Sequence, residues 1–204
     1  MISFVAGLID SIVGGGGLIQ VPALLVALPG VPIPMVFGTN KLASIAGTGT
    51  AVLRFHRTVG IRWQRVLPPA AAAFVCSWLG ARAVHHIDPA LLKPLVLVLL
   101  VAVLVYTLLQ RDFGAVSVEK PVGRPQRLIA LGIGASLGFY DGFFGPGTGG
   151  FLIFLFIQLL GLSFLQATAE AKVVNFATNL AAVGYFAATD SVLYAVALPM
   201  AACN

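Results

Sequence analysis

Lys41 and Lys172 are the residues whose type and setting most invite chemistry, because each is a lone positive charge in an apolar stretch. An ammonium among hydrophobic neighbours is costly unless something is paired with it or bound to it. Both lysines keep polar company. Lys41 ends Thr39-Asn40-Lys41 and is followed by Ser44, while Lys172 follows Glu170 and precedes Asn175, Thr178 and Asn179. On a helix, positions 172, 175 and 179 share a face. Ammonium and amide N–H groups on one face can hold an oxyanion. The competing use is hydrogen bonding between helices. The lysines are read as functional; for the asparagines the two uses stand level.

Two glycine clusters and two acids complete the set. Gly14, Gly15, Gly16 and Gly17 follow Asp10, and Gly145, Gly147, Gly149 and Gly150 follow Asp141. A half-helix starting at either cluster would aim free N–H groups and the positive end of its dipole into a cavity, an arrangement suited to an anion. Gly15, Gly16, Gly17, Gly147 and Gly149 are therefore candidate substrate contacts, with Asn40, Lys41, Thr148, Lys172, Asn175 and Asn179; Gln20 is a weaker lining candidate. Close packing of helices through small residues is the alternative use of the glycines. Asp10 and Asp141 could relay a proton, bind a coupling cation, or pair with lysines, Asp10 with Lys41 and Asp141 with Lys172. Ion pairing and transport chemistry weigh about equally.

Other chemistry is excluded or weak. Gly145, Gly147 and Gly150 spell G-x-G-x-x-G, but no strand precedes them and no soluble βαβ unit surrounds them, so no dinucleotide site is expected. His85, His86 and Asp88 offer no third well-placed metal ligand. Cys76 and Cys203 stand alone in apolar sequence, as small hydrophobes do. No nucleophile elbow or zinc-protease motif occurs. The expectation is a protein that is not an enzyme and holds no cofactor or metal.

The elements that position these residues must lie in a membrane. Of the 204 residues, 59% are hydrophobic and 9% are charged, and the mean hydropathy is +0.99. Soluble domains are roughly a quarter charged. Residues 66–81 and 94–110 read as uncharged helices. Residues 11–40 are too broken by Gly and Pro for one straight helix, and 128–169 carry one charge, Asp141, beside the second glycine cluster. The net charge of +5 does not point to nucleic acid. Arg54, Arg57, Arg62 and Arg65 fall in one short loop, and Arg111, Lys120, Arg124 and Arg127 in the next long break. Two spans separate these clusters, so both lie on one side, and the positive-inside rule makes it the cytoplasm.

An internal repeat organises the chain. At an offset of 131 residues, Gly7 meets Gly138, Asp10 meets Asp141, Gly14 meets Gly145, Gly16 meets Gly147, Lys41 meets Lys172 and Trp63 meets Tyr194. This reads as a tandem duplication: residues 1–110 a first transmembrane repeat, 111–127 a cytoplasmic linker, and 128–204 a second repeat. The counterpart of residues 74–110 would fall at 205–241, so the second repeat is read as incomplete. The fold expected is all-α and polytopic, with each repeat opening on a Gly-rich broken or re-entrant helix. Paired interrupted segments point to a substrate site at the repeat interface. Inverted copies are favoured over parallel ones.

The stretches Gly7-Leu-Ile-Asp10-Ser-Ile-Val-Gly14-Gly-Gly-Gly17-Leu-Ile-Gln-Val-Pro22 and Gly38-Thr-Asn-Lys41 resemble the first half of the sulfite exporter TauE/SafE family. Gly138-Phe-Tyr-Asp141-Gly-Phe-Phe-Gly145-Pro-Gly-Thr-Gly149 and Ala171-Lys172-Val-Val-Asn175-Phe-Ala-Thr-Asn179 resemble its second half. The resemblance implies a multi-pass permease of the bacterial inner (plasma) membrane, a secondary carrier for sulfite, a sulfonate or a related organosulfur anion. Its partners would be that small anion and the lipid bilayer, with a homo-oligomer left open. The alternatives are a carrier of another anion or metabolite and a non-transporting membrane scaffold.

Overall fold

The computed structural model describes residues 2–13, 16–109 and 124–204, and these are helical throughout, joined by short turns. Among them the elements are α1 (Ile2–Val13), α2 (Gly17–Ala27), α3 (Ile33–Thr58), α4 (Trp63–Val84), α5 (Pro89–Leu109), α6 (Arg124–Phe143), α7 (Thr148–Leu160), α8 (Phe164–Ala188) and α9 (Tyr194–Cys203). The stretch 11–40 does break, with a turn at Gly16 before α2 and a second interruption at Leu28–Pro32. α6 begins at Arg124, inside the segment read as linker. Pro125 at the second position of α6 is compatible with a helix start, because the first-turn N–H has no intrahelical acceptor to lose. The rest of the linker, residues 110–123, lies outside the described residues.

Helix starts recur at a fixed spacing. Gly17, Ile33 and Trp63 open α2, α3 and α4, and Thr148, Phe164 and Tyr194 open α7, α8 and α9, each pair 131 residues apart. α3 and α8, of 26 and 25 residues, are each about 38 Å long and pack against one another. Gly49 of α3 receives the Phe176 ring, and Gly38 lies against Phe186. α4 and α6 pack closely along another seam. Gly134, Gly138 and Gly142 of α6 meet Pro69, Ala73 and Ser77 of α4, and a methyl at any of the three would overlap α4 backbone. This is the small-residue contact by which helices approach in lipid.

The two ends of the bundle differ. Around one end sit Arg62, Arg65, Arg127 and the close of α7 at Leu160. At the other, His85 Nε2 lies 3.0 Å from Ser191 Oγ, and the Leu193 N–H donates to Thr39 Oγ1 at 3.0 Å. α4 and α8 therefore run from the arginine end to the histidine end, and α3 runs back. α7 starts in the interior and closes at the arginine end. α2 also starts in the interior, beside Pro146, and closes at the histidine end, where Leu25 and Leu28 share a cavity with Val84 and His85.

Polarity is inverted relative to a water-soluble protein. Leu53, Leu67, Val75, Leu97, Val98, Leu104 and Leu128 are more than half exposed or nearly so, while Lys41, Lys172, Asp141, Glu170, Asn40, Asn175 and Asn179 are buried. A surface of leucine around a polar interior suits hydrocarbon outside. α4, of 22 residues, is long enough and apolar enough to cross a membrane, and α5, of 21 residues, is a run of leucine and valine with one charge, Lys93; α3 and α8 have the length but carry the inward polar side chains.

Candidate functional site

The interior starts of α2 and α7 converge on one polar cavity of about 30 Å³. α7 begins there because the chain turns sharply after Asp141. Gly145 and Gly147 take φ values of 97° and 84°, in the left-handed region that costs an L side chain about 1–2 kcal/mol. The turn is tied by three bonds: Thr148 Oγ1 donates to Gly145 O at 2.7 Å, the Thr148 N–H to the same oxygen at 3.2 Å, and Tyr140 Oη to Pro146 O at 2.8 Å. First-turn N–H groups of a helix lack intrahelical acceptors. The head of α7 lies beside the cavity, which Gly147 and Gly149 line together with Gly17 at the head of α2.

Lys41 supplies the charge. Its Nζ lies 2.6 Å from Asp141 Oδ2, and both side chains are 4% exposed. The sequence offers Lys172, 31 positions on, as one partner for Asp141, level with a role in transport chemistry. The structure instead pairs it with Lys41, from the other half of the chain, because α3 passes the α6–α7 turn: a Cβ on Gly145 would lie 2.9 Å from Lys41 Nζ. Asn175 and Asn179 of α8 close the cavity with Asn40 of α3. Asn40 Oδ1 is buried with no hydrogen-bond partner among the described residues. Buried polar atoms in proteins are nearly always satisfied, so this atom is one that water or a ligand in the cavity can serve.

The remaining candidates separate. Gly16 caps α2, its carbonyl accepting from the Ile19 and Gln20 N–H groups at 3.1 Å each. Thr148 is buried, but its hydroxyl is spent on the turn. Lys172 is buried and sits away from this cavity, facing a larger one that it shares with Arg54 and Thr58. Gln20 donates to Asn204 Oδ1 at 2.9 Å. Gly15 lies outside the described residues; Asp10 falls in α1, with no side chain described.

Two lining residues escaped the sequence reading. Ser44 and Thr48 sit one and two turns beyond Lys41 on α3 and line the cavity. The Asn179 amide donates to Thr48 Oγ1 at 3.5 Å. These two residues are themselves 131 positions apart, so the repeat offset that aligned the lysines was the available signal for Thr48. A second ion pair also went unread. Arg65 grips Glu170 with two nitrogens: Nε lies 3.0 Å from both carboxylate oxygens, and Nη2 also reaches Oε1.

A helical bundle with an apolar exterior, and with two helix starts and an ammonium at a small polar cavity, has the build of a membrane transporter. The chain belongs to the TauE/SafE sulfite exporter family, whose model matches residues 1–204. It is a membrane transporter of that type rather than an enzyme. A Sinorhizobium protein named "Probable membrane transporter protein ORF9" is 38% identical over 198 residues, covering 97% of this chain and 74% of that one. A Haemophilus influenzae "Probable membrane transporter protein" is 38% identical over 205 residues, covering 98% and 77%. The Escherichia coli K12 "Probable membrane transporter protein YfcA" is 34% identical over 200 residues, covering 98% and 72%. No solved structure matches the chain.

Proposed function

We propose that the protein is a multi-pass secondary carrier of the bacterial inner membrane that moves a small anion, of the sulfite or sulfonate kind, through the cavity beside Lys41. The observation that carries this reading is the convergence of an ammonium and two helix starts on one small polar cavity. Each of the three favours negative charge. Interrupted helices at corresponding positions of two repeats are the usual frame for such a site. The 131-residue recurrence of helix starts supports inverted copies, because α2 and α7 leave the centre toward opposite ends.

Asp141 gives the site its coupling logic. An incoming anion and the Asp141 carboxylate compete for the same ammonium. Protonating Asp141 releases Lys41 to the anion, so proton and anion enter together, and loss of the proton restores the ion pair and expels the anion. Asp10 is assigned the same role toward the second half. A cavity of about 30 Å³ holds about one water, which describes the closed site between loading events. Opening to either end requires the α1–α2 or the α6–α7 hairpin to move against α3 and α8.

The test is uptake of radiolabelled sulfite and of a simple sulfonate into proteoliposomes, with an imposed proton gradient as a variable. Saturable flux that Lys41→Ala abolishes, in protein that still inserts and folds, is the expected result; Lys172→Ala should lower it as well. Unaltered flux in both variants would remove the lysine site, and no flux of any sulfur anion from folded protein would favour a scaffold or a different cargo.

A further inference from the structure

A second cavity, of about 440 Å³, opens at the arginine end between the starts of α4 and α6 and the close of α7. Its volume is that of a ligand pocket, and it lies apart from Lys41. Arg62, Arg65 and Arg127 line it with Gln64 and Gln126, and among its described lining residues none is acidic. Guanidinium groups are the side chains best shaped for phosphate, which they grip with paired donors. Arg65 is held in place from behind by Glu170, a carboxylate that Arg62 also acts on. The guanidinium groups of Arg62 and Arg127, both exposed at the cavity, suit a phosphate ester.

The rest of the cavity is greasy. Pro69, Ala130 and Leu160 form its floor, and a free inorganic anion has no use for such a wall. Immediately outside it, Leu67, Leu128 and Leu159 are 53%, 69% and 42% exposed. Each of these leucines is the chain neighbour of a lining residue, so α4, α6 and α7 each carry an exposed apolar side chain one position from the pocket. A ligand that satisfies both halves carries its charge at one end and hydrocarbon at the other. We infer that this cavity binds the phosphate head of an anionic phospholipid, with acyl chains lying against Leu67, Leu128 and Leu159. The inference needs the chain to sit in a bilayer but does not need the carrier reading: a protein that moved nothing would still bind the lipid.

The probe is phosphatidylglycerol, with zwitterionic phosphatidylcholine, of zero net charge, as its counterpart, counted as bound lipid by native mass spectrometry of the purified protein. Wild type should retain phosphatidylglycerol in preference to phosphatidylcholine. Arg62→Gln/Arg127→Gln should weaken that retention roughly ten- to thirtyfold, as expected for two basic groups beside an anionic lipid. Arg57→Gln, at the same end but outside the lining, should leave it unchanged. Both single variants, Arg62→Gln and Arg127→Gln, remove exposed side chains and should each give part of the loss, so the result stands even if the double variant folds poorly. Equal retention in wild type and the single variants overturns the inference. So does displacement of the lipid by millimolar inorganic phosphate, which would make the cavity a vestibule for free anions.

Discussion

Two buried ion pairs join the first half of the chain to the second, and they are built differently. Lys41 meets Asp141 through one nitrogen and one oxygen at the centre of the molecule, next to the turn that starts α7. Arg65 meets Glu170 near one end through a planar fork, with its side chain 11% exposed against 4% for Lys41. A single ammonium contact has no fixed plane and can be handed to another acceptor. A fork fixes both distance and orientation, and arginine does not lose its proton in proteins. The first pair is suited to exchange and the second to fastening α4 against α8. Both tie residues about a hundred positions apart, so either one constrains how the halves meet.

The largest effect that would sharpen this contrast comes from breaking the central pair. Lys41→Met leaves Asp141 buried without its partner, and Asp141→Asn leaves Lys41 so; each should destabilise by about 3–5 kcal/mol. Lys41→Met/Asp141→Leu, which removes both charges, should recover most of that stability while sulfite flux stays absent. Thermal unfolding in detergent beside proteoliposome uptake separates the two readouts. A double variant as unstable as the singles would mean that the pair is held by its surroundings rather than by mutual charge.

Next is the turn that brings Gly147 to the site. Gly147→Ala places a side chain at φ 84° and a methyl against the Val103 side chain. The backbone alone should cost about 1–2 kcal/mol, with the overlap adding to it. Gly147→Ala/Val103→Ala should relieve the overlap and leave the backbone cost, and comparison of the two unfolding temperatures measures each part. Smaller still is Arg65→Lys, which keeps the charge on Glu170 but loses the fork. A loss of about 1 kcal/mol with flux retained is expected. A collapse of flux with unchanged stability would move the end pair from fastening to function.

The lysines, Asp141 and the glycine clusters were readable because each breaks the local rule of an apolar sequence. A charge or a run of glycines among leucines is costly, so it is kept for a reason that sequence alone can flag. The partner of Asp141 was not readable. Lys172 is close along the chain, whereas Lys41 is a hundred residues away, and only the crossing of α3 past the α6–α7 turn brings it near. Arg65 looked like a topology signal among four arginines, and its fork to Glu170 is a tertiary fact. The start of α6 was missed because Arg124-Pro125 has the composition of a linker, and proline in a first turn fits both. Ser44, noted only as a polar neighbour of Lys41, and Thr48, marked only by its offset of 131 from Asn179, were not picked out as lining, since small hydroxyl residues are common on helices that pack in membranes.

Thr48 gives the finest cut, because it meets Asn179, 131 positions further along the chain. Asn179 donates to its hydroxyl at 3.5 Å, a long bond, so Thr48→Val should cost no more than about 0.6 kcal/mol, the average for a side-chain hydrogen bond between membrane helices. Valine preserves the shape and removes the acceptor, which leaves the Asn179 amide turned to the cavity with nothing but solute or water to serve. An anion there gains a donor. Thr48→Val should therefore raise sulfite affinity modestly at near-unchanged stability, read as a lower half-saturation concentration for uptake. Asn179→Leu, which removes the donor instead, should raise that concentration. If both substitutions shift the concentration the same way, the contact serves the packing of α3 on α8, and the anion is held by Lys41 and the helix starts without it.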